Sequence, residues 1–235
     1  MTDHTHKQFD NEMEAIRTGV LTMGGLVETQ LQRAITLLEV EENSAVLDQV
    51  GADEQRINRM QIDLDQQCSQ IIARRQPAAI DLRMILTVTK IVNDLERVGD
   101  ETKKVAYKAT EASGHHRLAQ VRSFDVARSA ERARSMLHLA LDAFARLDPN
   151  AAAQVIDMDD ELDAAFSSTL RQLISYMMED PRTISSALEI VFIAKAIERI
   201  GDHAKNIAEA VVQVVMGVDV RHATAEQIRA EVAEE

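Results

Sequence analysis

Two segments of this sequence carry the same pair of acidic residues around a glycine. Residues 91–106 read IVNDLERVGDETKKVA and residues 193–208 read IAKAIERIGDHAKNIA, and the two align without a gap. The alignment pairs Glu96 with Glu198 and Asp100 with Asp202. On a helix, residues i and i+4 lie on one face, so the two carboxylates of each segment point the same way.

This arrangement is unfavourable for an isolated helix. Like charges at i and i+4 repel by about 0.2–0.5 kcal/mol, and Gly99 and Gly201 each cost about 1 kcal/mol relative to alanine. Because the same two penalties occur twice at matched positions, they indicate a role other than helix stability. A cation held by the acids and a close helix contact at the glycine would meet both requirements.

The preceding part of each half offers a second pair with the same spacing. Glu54 and Asn58 precede the first segment, and Asp159 and Asp163 precede the second. Adjacent helices of an up-down bundle are antiparallel, so each pair could face its Glu-x-x-x-Asp helix. The prediction is one oxygen-lined metal site per half, with these ligands: Glu54, Asn58, Glu96 and Asp100 in the first, and Asp159, Asp163, Glu198 and Asp202 in the second.

The chemistry of these ligands leaves the metal open. Oxygen donors suit Mg²⁺, Mn²⁺, Fe or Zn²⁺, and several carboxylates together permit more than one ion. Asn58 is the weak member of the set, since it is neutral where its counterpart is Asp163. The alternative is a solvated face whose acids are neutralised by neighbouring lysines, namely Lys103, Lys104, Lys195 and Lys205.

Composition restricts the class of protein. The chain has 235 residues, 46% of them hydrophobic but only 3% aromatic with no Trp, which favours helix-on-helix packing. A net charge of −13 argues against nucleic acid as a partner. No apolar run approaches the roughly 20 residues of a membrane span, and Cys68 is the single cysteine, so no internal disulfide is possible. We expect a cytoplasmic protein without a membrane span.

Apolar residues recur every three or four positions through most of the chain, which predicts an all-α fold without strands. All three prolines fall in predicted turns, and the first half is predicted to end at Ser113 and Gly114. Six long helices are predicted, at residues 9–38, 45–74, 81–110, 124–147, 151–178 and 185–216. They form two tandem three-helix bundles related by a pseudo-twofold, one in residues 1–112 and one in 113–217. Residues 218–235 are expected to be a tail, either a frayed helix or disordered.

Positive charge is concentrated at the predicted turn between the second and third helices. Arg74 and Arg75 precede Pro77, and Asp81 and Arg83 follow it. These four charged residues could bind an anion or a partner protein, although a charged turn is more often simply exposed.

The motifs RRQPAAIDLR, LERVGDE and AKAIERIGDHAKNIAE, in this order, closely resemble the PhoU family of bacterial phosphate-regulatory proteins. The resemblance spans residues 9–216. It implies a six-helix fold of two bundles, metal binding at the acidic pairs given above, and a homodimer. It also implies a negative regulator of phosphate uptake and signalling, which mediates between the ATPase of a phosphate ABC transporter and a sensor histidine kinase. Since Asn58 departs from the acidic pattern, the first metal site is expected to be weaker.

Two other functions are compatible with the same residues. One is a carboxylate-bridged metalloenzyme, but helical di-iron enzymes use Glu-x-x-His on two helices, and no such pair occurs here at matched places. The other is a metal-free helical scaffold. No residue is nominated as catalytic, so we expect a protein that is not an enzyme.

Overall fold

The structure is a computed structural model, and it describes residues 2–39, 43–112, 125–217, 220 and 225–233. Within these ranges there are seven α-helices, one 3₁₀ turn at Pro181–Thr183, and no strand. The α-helices are α1 Thr2–Glu39, α2 Ser44–Arg75, α3 Ala79–Ala112, α4 Val126–Arg146, α5 Pro149–Glu179, α6 Ile184–Met216 and α7 Ala225–Ala233. The predicted all-α class and the six long helices are confirmed.

Several helix ends are set by capping side chains and by a glycine. The Asn43 side chain accepts from the backbone N–H of Val46 at 3.2 Å and caps α2. Asp148 caps α5 in the same way, with Pro149 in the first helical position. Gly217 ends α6 with φ of +77°, in the left-handed region that glycine adopts at little cost. The predicted turn at Ser113 and Gly114 lies outside the described residues.

The predicted start of the first helix was wrong, and one of the two alternatives for the tail, a helix, is present. Helix α1 begins at Thr2 rather than Phe9, because residues 2–8 contain no Pro or Gly that would stop a helix even though they lack an apolar pattern. The expected tail contains α7, which packs against α5. Ile228 is fully buried there and Arg229 pairs with Asp157. Ile228 and Val232 are the only large apolar residues of α7, and two such residues gave too weak a signal to predict this packing.

Each half forms a three-helix bundle around an aliphatic core. Helices α1, α2 and α3 pack on one another in the first half, and α4, α5 and α6 in the second. The cores consist mainly of Ile, Val, Leu, Ala and Met, and Phe144 is the largest fully buried side chain among the described residues. This composition is what the low aromatic content predicted.

The two bundles lie side by side, and α3 and α6 pack on each other more extensively than any other helix pair. Four polar contacts along this interface show that the two helices are antiparallel, since the residue number falls along α6 as it rises along α3. They are Lys90 to Gln213 at 2.8 Å, Asp94 to His203 at 2.9 Å, Glu101 to Arg199 at 2.9 Å and Lys108 to Glu189 at 2.9 Å. Gly99 and Gly201 therefore lie at the same level, as a twofold relation between the halves requires.

Candidate metal centre

Three carboxylates of the second half converge between α5 and α6. One carboxylate oxygen each from Asp159, Asp163 and Asp202 lies within 4.8 Å of the other two. Asp159 is 2% exposed, whereas Asp163 is on the surface, so the cluster is open to solvent on one side. The structure thus brings together three of the four residues predicted for this half. Glu198, the fourth, is close enough for its negative charge to raise the pKa values of Asp163 and Asp202.

The crowding of these acids raises their affinity for protons. Burial raises the pKa of Asp202 above its ordinary value, and the negative charges of Glu198, Asp159 and Asp163 raise it further. The pKa of Asp163 is also raised, by burial first and then by Asp159 and Glu198. Positive charge at this cluster would therefore be stabilising.

Two lysines already supply part of that charge. Lys205 Nζ lies 2.7 Å from Asp159 Oδ2, and Lys195 Nζ lies 2.6 Å from Glu198 Oε1. The salt-bridged face that the sequence left open is thus partly realised. However, the other oxygen of Asp159, Oδ1, is buried without a hydrogen-bond partner. A buried carboxylate oxygen is costly to leave unpaired, and a cation between Asp159 and Asp163 would satisfy it.

In the first half an amide, Asn58, takes the place of one of the carboxylates of the second half. The Asp100 carboxyl is close enough to Glu54 to raise its pKa, and Asn58 Nδ2 donates to Glu54 Oε1 at 3.4 Å. Burial raises the pKa of Glu54, and the contact with Asp100 raises it further. The pKa of Glu96 is raised by burial and then by Asp100. In the described part of the chain, only the second half assembles three carboxylates within 4.8 Å.

Gln30 of α1 belongs to the first site, and the sequence reasoning missed it. Its Nε2 donates to Glu54 Oε2 at 3.3 Å and to the carbonyl oxygen of Val50 at 3.2 Å. Gln30 is fully buried. Its position could have been found, because it lies three residues after Val27 and four before Ala34 on the apolar face of the predicted helix.

The two glycines allow the close helix contacts predicted for them. A Cβ added to Gly201 would lie 2.3 Å from Leu162 Cδ2, and one added to Gly99 would lie 3.2 Å from Glu54 Oε2. Leu162 directly precedes Asp163 on α5. The absence of a side chain at Gly201 therefore lets α5 approach α6 closely enough for their acids to meet.

The charged residues at the α2–α3 turn have separate surroundings. Arg75 forms two hydrogen bonds of 2.9 Å with Glu12 of α1, which lower the pKa of Glu12. Arg74 is exposed beside a shallow groove between α1 and α2. Arg83 lies against Gly217, and Asp81 is exposed in the first turn of α3. Anion or partner binding by these four residues stays a prediction.

Both sites fit a metal ion by the chemistry of their donors. The side chains that converge offer carboxylate and amide oxygens, the ligands preferred by Mg²⁺ and Mn²⁺ and tolerated by Zn²⁺ and Fe. The unpaired buried oxygen of Asp159 shows unused coordinating capacity in the second half. Three of the predicted ligands of the second half converge, and metal binding at both sites stays a prediction.

The PhoU domain family model matches the chain twice, over residues 20–109 and 126–211. The chain belongs to the PhoU family. The two matches coincide with the two bundles and with the two copies of the acidic motif. The predicted relationship is therefore confirmed.

Individual PhoU relatives align over nearly the whole chain. The phosphate-specific transport system accessory protein PhoU homolog of Pseudomonas putida is 43% identical, covering 99% of this chain and 90% of that protein. The PhoU accessory protein of Escherichia coli strain K12 is 40% identical, covering 97% and 93%. The crystal structure of PhoU from Pseudomonas aeruginosa superimposes with a TM-score of 0.81 at 42% identity, covering 89% and 100%.

A more distant structure has the same fold. PhoU from Streptococcus pneumoniae superimposes with a TM-score of 0.80 at 23% identity, over 90% of this chain and 99% of that one. Among the described residues of this PhoU-family chain, no helix is both long and apolar enough to cross a membrane.

Proposed function

We propose that this chain is a cytoplasmic negative regulator of phosphate uptake and phosphate-starvation signalling. It acts as an adaptor between the ATPase of a phosphate ABC transporter and a sensor histidine kinase. The observation that carries this proposal is the full-length similarity to proteins named as phosphate-specific transport system accessory proteins, at 40–43% identity. Because those relatives are named as accessory proteins, we propose a binding role and no enzymatic activity.

The architecture supports docking of this kind. Two rigid bundles, each about 45 Å long from the rise of helices near 30 residues, offer long helical faces to large partners. Their division is proposed at residues 1–112 and 113–217, and both family matches fall within these limits. A homodimer would double the number of docking faces, and light scattering of the purified protein measures its mass in solution.

Metal binding at the acidic pairs is proposed as a structural part of this function. A cation between Asp159 Oδ1 and Asp202 would hold α5 against α6 and would add to the positive charge that Lys205 supplies at Asp159 Oδ2. Metal would thereby fix the spacing of the helices that present the docking faces. Its identity among Mg²⁺, Mn²⁺, Fe and Zn²⁺ is left to measurement.

The test is a binding assay with purified partners. Immobilised transporter ATPase and the cytoplasmic part of the kinase are each titrated with this protein, with and without phosphate and with and without Mn²⁺. We expect binding to both partners, and affinity that changes with phosphate. Absence of binding to both under every condition refutes the adaptor role.

Variants connect the metal to the docking. Asp163→Asn with Asp202→Asn removes two carboxylates of the second site and should abolish any effect of Mn²⁺ on partner affinity that arises there. The matched control is Asp160→Asn with Glu161→Gln, which changes the net charge equally at two exposed positions of α5. If both pairs of substitutions act alike, the effect is one of general charge and the structural role of metal is wrong.

A further inference from the structure

Gln30 places a buried oxygen without a partner beside the first site. Its amide nitrogen donates to the Val50 carbonyl and to Glu54. Because a carbonyl oxygen can only accept, the contact with Val50 fixes which end of the amide is the nitrogen. Gln30 Oε1 is left buried with no hydrogen-bond partner, in a residue that is 0% exposed. Buried polar atoms of this kind are rare and each needs a physical explanation.

The unpaired oxygen lies at the carboxylates. A Cβ placed on Gly99 would be 3.3 Å from Gln30 Oε1 and 3.2 Å from Glu54 Oε2, so both oxygens flank the same point of α3. Asp100 follows Gly99 directly, and its carboxyl group is close enough to Glu54 to raise the pKa of Glu54. Asn58 Oδ1 is a second buried amide oxygen without a partner.

The corresponding position of the second half is apolar. There the glycine is Gly201, and the side chain that faces it from α4 is Met136, whose Cε would be 3.6 Å from an added Cβ. Met136 is fully buried, as Gln30 is. Methionine and glutamine are unbranched and similar in length, so a methionine could fill the same space in the core without placing an unpaired oxygen there. Glutamine adds two groups in the first half: the amide nitrogen, which donates to Val50 and Glu54, and the oxygen, which has no partner.

We propose that Gln30 Oε1 is a metal ligand of the first site, contributed by a third helix in addition to the acidic pairs of α2 and α3. It compensates for the neutral Asn58 by adding a donor, and it makes the two sites different. The first offers carboxylate and amide oxygens, which suit a hard cation of the Mg²⁺, Ca²⁺ and Mn²⁺ class. This inference rests on the metal binding proposed above, and it concerns a residue outside the acidic motifs.

The experiment isolates the first site by Asp163→Asn with Asp202→Asn in the full-length protein. Chelator-stripped protein is titrated with Mn²⁺, and free Mn²⁺ is counted by electron paramagnetic resonance. Gln30→Met, which copies the residue of the other half, should weaken Mn²⁺ binding at least about tenfold. Gln30→Glu keeps an oxygen at this position and should bind at least as tightly as the parent.

Stability measured in the presence of chelator separates ligation from folding. Gln30→Met removes the unpaired oxygen and also the amide nitrogen that donates to Val50 and Glu54. Its unfolding midpoint without metal should therefore be lower than that of the parent, because buried acceptors lose their donor, while the loss of Mn²⁺ affinity is measured on the folded protein. If the methionine variant fails to fold, Gln30→Leu serves as the oxygen-free variant. Unchanged Mn²⁺ affinity in the folded oxygen-free variant overturns the assignment.

A second pair of substitutions separates the role of Gln30 from the more general proposal that this protein binds metal. Glu54→Gln with Asp100→Asn disables the first site and leaves the second intact. If this protein binds Mn²⁺ while the Asp163→Asn, Asp202→Asn protein does not, the role of Gln30 is refuted and metal binding in the second half stands. The regulatory role is tested independently by the partner titrations.

Discussion

Replacement of Gly201 by alanine tests whether the glycine exists for the contact between α5 and α6. The added Cβ would lie 2.3 Å from Leu162 Cδ2, which is far inside van der Waals contact. Leu162 is 1% exposed, so its side chain has little free space to move into. Because Leu162 directly precedes Asp163, any displacement of this residue also disturbs the carboxylates of the second site.

Two opposing terms set the expected magnitude. Alanine in place of a helical glycine stabilises by about 1 kcal/mol, whereas overpacking a core typically costs about 1–3 kcal/mol. We expect the free energy of unfolding of the Gly201→Ala protein to be about 1 kcal/mol lower than that of the parent. In a Leu162→Ala background the new methyl group fills the space that the leucine side chain vacated. Gly201→Ala should then stabilise the protein by nearly 2 kcal/mol, with about 1 kcal/mol from helix propensity and about 0.8 kcal/mol from burial of the methyl group.

The assay is urea unfolding followed by circular dichroism at 222 nm, with chelator present so that metal contributes nothing. The coupling energy between positions 201 and 162 should be about 3 kcal/mol, at the upper end for residues in contact. Gly25 of α1 is the matched control, because an added Cβ there meets nothing within 4 Å. Gly25→Ala should stabilise by about 1 kcal/mol. If Gly201→Ala stabilises the parent to the same degree, the close-contact explanation is refuted.

Three further predictions follow from the charges. The pKa values of Asp163 and Asp202 are raised in the folded protein, so folding favours their protonated forms. The contribution of these two residues to folding stability is therefore present below the ordinary carboxyl pKa and is lost as pH rises through the raised values. Without metal, the melting temperature should therefore fall from about pH 4 to pH 7, and less so with both residues changed to Asn; an equal fall would contradict this cause. Mn²⁺ at about 100 times its dissociation constant should stabilise the folded protein by about 2.7 kcal/mol, which corresponds to a rise of roughly 5–10 °C in melting temperature. Chelator should reverse this rise, and no change in melting temperature with Mn²⁺ would contradict a metal site. Arg199→Met removes one of the two ion pairs of the buried Glu101 and leaves the pair with the exposed Lys104. The free energy of unfolding in urea should fall by about 1 kcal/mol. The control is Arg128→Met, which removes an exposed ion pair with Asp125; an equal loss of stability in both variants would contradict the prediction.

The helices and the acidic pairs could be predicted because both depend on local spacing. Apolar residues at intervals of three and four give the core face of each helix directly. The same periodicity shows that Asp159 and Asp163 share a face, and the repeat shows that Asp202 does so with Glu198. Convergence of the two faces then needs only that neighbouring helices be antiparallel, which short connections impose.

The packing of α3 on α6 could not be predicted in the same way. It depends on which outer faces of two complete bundles meet, and both faces are rich in charged residues that a sequence pattern assigns to solvent. Glu101 illustrates this, since it is 3% exposed and is paired with Arg199 from the other half. Its counterpart in the repeat is His203, which pairs with Asp94 instead. The interface is therefore asymmetric in its contacts even though the two halves are related.

Gln30 shows why a duplicated motif reveals less than its whole site. The repeat makes shared residues conspicuous, so it directed attention to the acids and the glycines, which both halves contain. A residue that differs between the halves, such as Gln30 where the other half has Met136, gives no signal in that alignment. The apolar periodicity of α1 does place Gln30 on the core face, but its contacts with Val50 and Glu54 and its unpaired oxygen follow only from the packing of α1 against α2. Functional differences between the two sites are thus to be sought in α1 and α4, which lie outside the acidic motifs.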